Sequence, residues 1–167
     1  MNSYKILVND KLTTFTYKGT GVMPPFEQVT GVFAVPFTKD GNLVAVNLYS
    51  RGYDLPGGHV DKGEKTPEET LRREVMEEAS MTVRDLVLTE VIESDYIDDH
   101  ATYLLLYAAF VDEMKEFVVN AESSERIEVS VDEFVAHYTV GDKELLRTAI
   151  EHAWQLLQDK NIHKFPK

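Results

Sequence analysis

The stretch GGHVDKGEKTPEETLRREVMEEAS, residues 57–80, constrains this chain more than any other. It places a paired glycine and a polar loop ahead of a helix whose start is marked three times over. Thr66 can act as the N-cap, Pro67 suits the first helical position, and Glu69 completes a capping box. Glu69 and Arg73 also stand at i,i+4 in the favourable order. At about 100° per residue, with Leu71 set to 0°, Val75 falls at roughly 40° and Ala79 at roughly 80°, forming one apolar stripe. Glu77, Glu74 and Glu78 fall at roughly 240°, 300° and 340°, so the carboxylates border that stripe instead of pointing straight into water.

Carboxylates in such a position carry a cost. Glu74 and Glu78 form an i,i+4 like-charge pair, worth about 0.2–0.5 kcal/mol of destabilisation on an exposed helix. Partial burial raises the cost unless a cation pairs with them. The residues alone leave two readings open. One is a site for a hard divalent ion, Mg²⁺ or Mn²⁺, which prefers oxygen ligands. The other is a repulsion tolerated by a well-capped helix.

Composition narrows the class. The 167 residues, 43% apolar and 28% charged, predict one globular domain spanning 1–167. With 29 acidic against 17 basic side chains, the formal charge is -12. That balance disfavours binding to a nucleic-acid backbone, which needs clustered Lys and Arg. The absence of cysteine excludes disulfides, thiolate metal sites and cysteine nucleophiles. The opening MNSYKILVNDKLTTF lacks the apolar core of a signal peptide. The longest apolar run, YLLLYAAFV (103–111), is too short to span a membrane. A cytoplasmic protein without a membrane partner is expected.

Periodicity supplies the remaining elements. KLTTFTYKG (11–19) alternates weakly and reads as a strand, and VFAVPF (32–37) and LVAVNLY (43–49) read as a hairpin turning at Asp40-Gly41. Pro36 is expected to place its strand at a sheet edge or a bulge. DLVLTEVIES (85–94) reads as a strand, and ATYLLLYAAFV (101–111), apolar on both faces, as a central strand covered on both sides. In KELLRTAIEHAWQLLQ (143–158), Leu146, Ala149, Ala153 and Leu157 recur at helical spacing, with Trp154 packed beside them. This order of strands and helices predicts an α/β sandwich with a mixed β-sheet.

The segment from Gly58 resembles the box of the Nudix hydrolases, G-x5-E-x7-R-E-U-x-E-E-x-G-U, where U is bulky and aliphatic. Gly58 opens it, Glu64 supplies the first acid, and Arg73-Glu74-Val75-Met76-Glu77-Glu78 reproduces R-E-U-x-E-E, with Met81 in the last apolar place. The preceding DLPGG resembles the usual lead-in. Two departures stand out. Lys65 is an extra residue before the N-cap, and Ser80 occupies the position of a glycine. A left-handed serine there would cost about 1–2 kcal/mol.

The resemblance implies a Nudix-type α/β/α sandwich and a divalent-metal-dependent pyrophosphohydrolase. Its substrate would be a nucleoside diphosphate linked to another moiety: a nucleoside triphosphate, a dinucleoside polyphosphate or a nucleotide sugar. It implies Glu74, Glu77 and Glu78 as ligands of Mg²⁺ or Mn²⁺, joined by the backbone carbonyl of Gly57 or Gly58. Glu77, Glu74, Arg73 and Glu122 are the catalytic candidates, Glu122 as a later loop acid chosen over Glu125. Glu64 and Arg73 would orient the ligands, while Arg51 and Tyr96 would touch substrate. His59, His100 and His137 lack ligand-like spacing and are read as surface residues. A Nudix-fold nucleotide-binding or regulatory module without catalysis is the alternative, and a homodimer is left open.

Overall fold

A computed structural model describes residues 2–162. Along the chain run β1 (Ser3–Val8), β2 (Lys11–Tyr17), β3 (Val29–Phe37), β4 (Leu43–Leu48), β5 (Gly52–Asp54), β6 (Gly57–His59), α1 (Pro67–Ala79), β7 (Met81–Ser94), β8 (Thr102–Met114), β9 (Ser123–Val129), α2 (Val131–His137) and α3 (Lys143–Ile162). The strands form one sheet in the order β1-β2-β7-β8-β3-β4-β5, with β6 pairing β3 and β9 pairing β4. Only β3 and β8 run parallel; the other pairs are antiparallel, so the sheet is mixed.

The double coverage of β8 follows from its sequence. Leu105, Tyr107 and Ala109 belong to a core under α1 with Leu71, Val75 and Ala79. Leu106, Ala108 and Phe110 face the opposite core, built on Phe134, Leu146, Ile150, Ala153 and Leu157 from α2 and α3. Successive residues of one strand thus serve two layers, as a period of two requires. Trp154 packs on Phe37, with ring centroids 4.9 Å apart, and edge-on against Phe110 at 6.1 Å.

Pro36 is not on an edge strand. β3 lies inside the sheet, and Pro36 pairs in register with Ala109 of β8. The Ala34 N–H points the other way, donating to the Pro56 carbonyl, and by alternation the Pro36 nitrogen points that way too. On that side β3 meets β4 at a single pair, Phe37 with Leu43, and meets β6 only over 31–33. The missing N–H therefore faces a split in the sheet, where no ladder bond is lost. The hairpin itself turns at Asp40-Gly41 as expected, with Gly41 at φ 85°.

Among the described residues, no helix is long and apolar enough to cross a membrane.

Candidate active site

The start of α1 fixes where its carboxylates go. Thr66 Oγ1 accepts the Glu69 N–H at 3.3 Å. The reciprocal arm differs from the expected capping box: the Glu69 carboxylate accepts the N–H of Lys65, at 2.7 Å. The extra residue lies outside the helix and joins its cap, so α1 begins at Pro67 with its register undisturbed. Leu71, Val75 and Ala79 are fully buried, and Glu74 and Glu78 are carried down beside them to 6% and 2% exposure.

Strand β6 brings the paired glycine against this face. It pairs with β3 through Gly57 with Phe33 and Gly58 with Val32. A Cβ on Gly57 would stand 2.4 Å from the Val32 carbonyl oxygen, and one on Gly58 would stand 2.7 Å from the Glu74 carboxyl group. Only glycine lets the strand and the carboxylate share this space. Gly57 N–H donates to Glu78 Oε2 at 3.1 Å.

Between them opens a pocket of about 360 Å³ lined by Gly57, Gly58, Arg51, Glu74, Glu77, Glu78 and Glu122, among others. One carboxylate oxygen from each of Glu74, Glu78 and Glu122 lies within 4.8 Å of the others. Burial pushes the Glu78 carboxyl up to about 8; the Gly57 N–H opposes this, while a hydrogen bond with Glu122 and the charge of Glu74 add to it. Burial raises Glu74 as well, against the pull of Arg73. A set of three carboxylates, two buried, offers converging oxygens and no other kind of ligand atom. It can hold a divalent cation.

Arg73 organises the acids around this trio. Its guanidinium donates to Glu64 through Nε and Nη2, both at 3.1 Å, to Glu74 at 2.8 Å, to Glu77 at 3.1 Å and to the His59 carbonyl at 2.8 Å. Glu69, one of its expected partners, goes to Lys65 instead. The hydrogen bonds from Arg73 hold the Glu64 carboxyl below its ordinary value. Glu77 lines the pocket, but its half-exposed carboxylate is held by Arg73, outside the convergence of the other three.

The segment carrying Glu122 is tied to the far end of α1. Asn120 Nδ2 donates to the Glu77 carbonyl at 3.0 Å, while Asn120 Oδ1 accepts the N–H groups of Glu122 and Ser123, each at 2.9 Å. Ser123 Oγ donates to the Glu78 carbonyl at 2.7 Å. Arg126 donates to the carbonyls of Ala79 and Ser80. Ser80 adopts the left-handed conformation, at φ 51°, where the resembling pattern has glycine.

Arg51 lines the pocket with its Nε held by Asp54 at 2.7 Å. Tyr96 does not line it; its hydroxyl accepts from Asn9 Nδ2 at 3.1 Å. His59, His100 and His137 are exposed. Sequence reasoning missed Asp54, Asn120 and Ser123. The first opens the DLPGG lead-in, where nothing local marks it as the partner of Arg51. The other two flank Glu122, and their roles depend on where β9 docks.

An acidic helix packed against a paired-glycine strand, in a mixed sheet between helices, is the arrangement that the resemblance to the Nudix hydrolases, which act on phosphoric anhydride bonds, leads one to expect. The model of the NUDIX domain matches residues 27–149, and the chain belongs to this family. Among solved structures it is similar to the NUDIX domain of Shewanella oneidensis NrtR complexed with ADP ribose, at 20% identity and a TM-score of 0.62, covering 81% of this chain and 94% of that one. It is similar to the Bacillus subtilis pyrophosphohydrolase BsRppH at 19% identity and a TM-score of 0.59, covering 75% and 76%. An ADP-ribose pyrophosphatase from Streptococcus suis matches at 19% identity and a TM-score of 0.52, covering 79% and 90%. No curated protein matches significantly.

Proposed function

We propose that this protein is a Mg²⁺- or Mn²⁺-dependent pyrophosphohydrolase that cleaves a nucleoside diphosphate linked to another moiety, with water attacking at phosphorus. The convergence of Glu74, Glu78 and Glu122 at the floor of an open pocket carries this reading. Glu74, Glu78 and Glu122 would hold the ion, with Glu77 and the carbonyls of Gly57 or Gly58 in the same pocket available to complete its shell. A bound divalent ion would lower the pKa of a coordinated water and screen the negative charge of the diphosphate. The chain's own part is positioning, which suffices for phosphoryl-type transfer. Arg73 keeps Glu64, Glu74 and Glu77 oriented. Arg51, held at one nitrogen by Asp54, presents the rest of its guanidinium to an anionic substrate. Glu122, the exposed member of this trio, would orient the attacking water beside the ion.

The test is a screen of nucleoside triphosphates, dinucleoside polyphosphates and nucleotide sugars with Mg²⁺, scored by phosphate or pyrophosphate release. Turnover that EDTA and Glu78→Gln both abolish is the expected result. In ¹⁸O-water the label should appear on a phosphate product; label on carbon would overturn the proposed attack. The likeness to the NrtR domain, crystallised with ADP ribose, favours a second reading, a nucleotide-binding module without catalysis. Binding without turnover of any compound in the screen would select it.

A further inference from the structure

Two arginines line the glutamate pocket, and among the described residues no lysine does. Arg73 has no donor left for a substrate. Its five N–H groups serve Glu64 twice, Glu74, Glu77 and the His59 carbonyl. Arg51 differs. It stands on the turn between β4 and β5 and donates through Nε to Asp54, while its terminal nitrogens have no partner among the described residues. Its charge is felt at Glu78, where it opposes the rise of the carboxyl. The arginine contact with a substrate phosphate therefore falls to Arg51. A long side chain on a turn must first be ordered to make such a contact.

Asp54 supplies that order. It is 8% exposed and shares the wall of a cavity of about 140 Å³ with Phe15, Leu55, Tyr138 and Leu146. Burial raises its carboxyl above the ordinary value, against the charge and hydrogen bond of Arg51 and the Leu55 N–H. A buried ion pair is weak support for a fold, because apolar residues of similar volume often serve as well. Its placement accounts for it better. One oxygen accepts from Arg51 Nε and the other from the Leu55 N–H, both at 2.7 Å. Leu55 leads through Pro56 into the paired glycine, and the Pro56 carbonyl accepts the Ala34 N–H of β3 at 2.9 Å. The carboxylate is thus tied to the sheet on one side and grips the guanidinium on the other. We infer that Asp54 is a positioning residue, aiming the terminal nitrogens of Arg51 at the phosphate held over the glutamates. It touches no substrate atom itself. The inference rests on the proposed hydrolase for the identity of that anion.

A double-mutant cycle tests the coupling, with methylenediphosphonate, a diphosphate analogue that cannot be hydrolysed, titrated by calorimetry in excess Mg²⁺. Arg51→Gln should weaken binding by about 10–100-fold, the worth of hydrogen bonds to a charged group. Asp54→Asn turns an amide donor towards either Arg51 Nε or the Leu55 N–H and should weaken it by about 10-fold. The double variant should bind no more weakly than Arg51→Gln alone. Should Asp54→Asn fail to fold, Arg51→Lys takes its place. Lysine keeps the charge but offers no Nε to Asp54, so it should bind as weakly as Arg51→Gln. With a turned-over nucleotide, Asp54→Asn should raise KM while kcat changes less. A residue serving only the fold would lower the active fraction and leave KM alone. Coupled losses without turnover of any nucleotide keep the positioning role and remove the hydrolase. The positioning role is overturned by losses that add in the double variant, by parent-like binding in Asp54→Asn or Arg51→Lys, or by a parent that does not bind the diphosphonate.

Discussion

At 2% exposure, the Glu78 carboxyl accepts one backbone hydrogen bond, from Gly57, and faces Glu74 and Glu122. Its folded-state value, about 8, lies above the ordinary 4.5. Between these values the folded chain holds a proton that the unfolded chain has released. The contribution of Glu78 to stability is therefore full below about 4.5 and is lost as pH rises through about 8. Denaturant titrations in EDTA should show this decline, and Glu78→Gln should flatten it. Mg²⁺ competes with that proton, so its stabilising effect should grow over the same window. At a hundredfold excess over Kd, a ligand of the native state adds about 2.7 kcal/mol. Mg²⁺ should raise the melting temperature by several degrees in the parent and by less in Glu78→Gln. An equal effect from NaCl at matched ionic strength would remove the metal site. Arg73 makes a second prediction at this scale. Lysine would keep the charge but cannot bridge Glu64, Glu74, Glu77 and the His59 carbonyl at once. Arg73→Lys should lower turnover by roughly 10–100-fold, the usual cost of losing support behind a ligand. A parent-like rate would show that the acids orient themselves.

At the scale of elements, the end of α1 joins helix stability to the placement of Glu122. Ser80 pays for its left-handed backbone with strain that glycine avoids, and its hydroxyl returns only a long bond, accepting from the Val118 N–H at 3.4 Å. Ser80→Gly should therefore stabilise the protein by about 0.5–1 kcal/mol, read as a rise in denaturation midpoint. Asn120→Ala should act differently. It removes the turn that sets Glu122 and the tie to the Glu77 carbonyl, so turnover should fall more steeply than stability. Equal losses would make Asn120 only a structural anchor. The helix itself was legible because its cap, stripe and acids all lie within one local stretch. The segment bearing Asn120 was not. SSERIEV of β9 is polar at most positions and becomes a strand by pairing with β4. α2 carries a readable signal, Ser130 three residues before Glu133 and ahead of Phe134-Val135, and Ser130 does cap the helix by accepting the Glu133 N–H. β1 was also overlooked, though Asn9 and Asp10, both at positive φ, mark the hairpin turn that joins it to β2.

At the scale of the molecule, the site is assembled from parts far apart in sequence. Arg51 and the paired glycine precede α1, and Glu122 follows β8. Local pattern could supply the acids, but their meeting depends on the sheet order. β8 is central to that order, between β7 and β3, and it gives alternate side chains to the two cores. Neither helical layer can come away without stripping one face of this strand. Deuterium should consequently enter the amides of Leu105 to Ala109 only when the whole protein opens, at a rate that tracks global stability. Should those amides exchange much sooner, the two layers melt separately, and the acid helix loosens while the core under α2 and α3 stays formed.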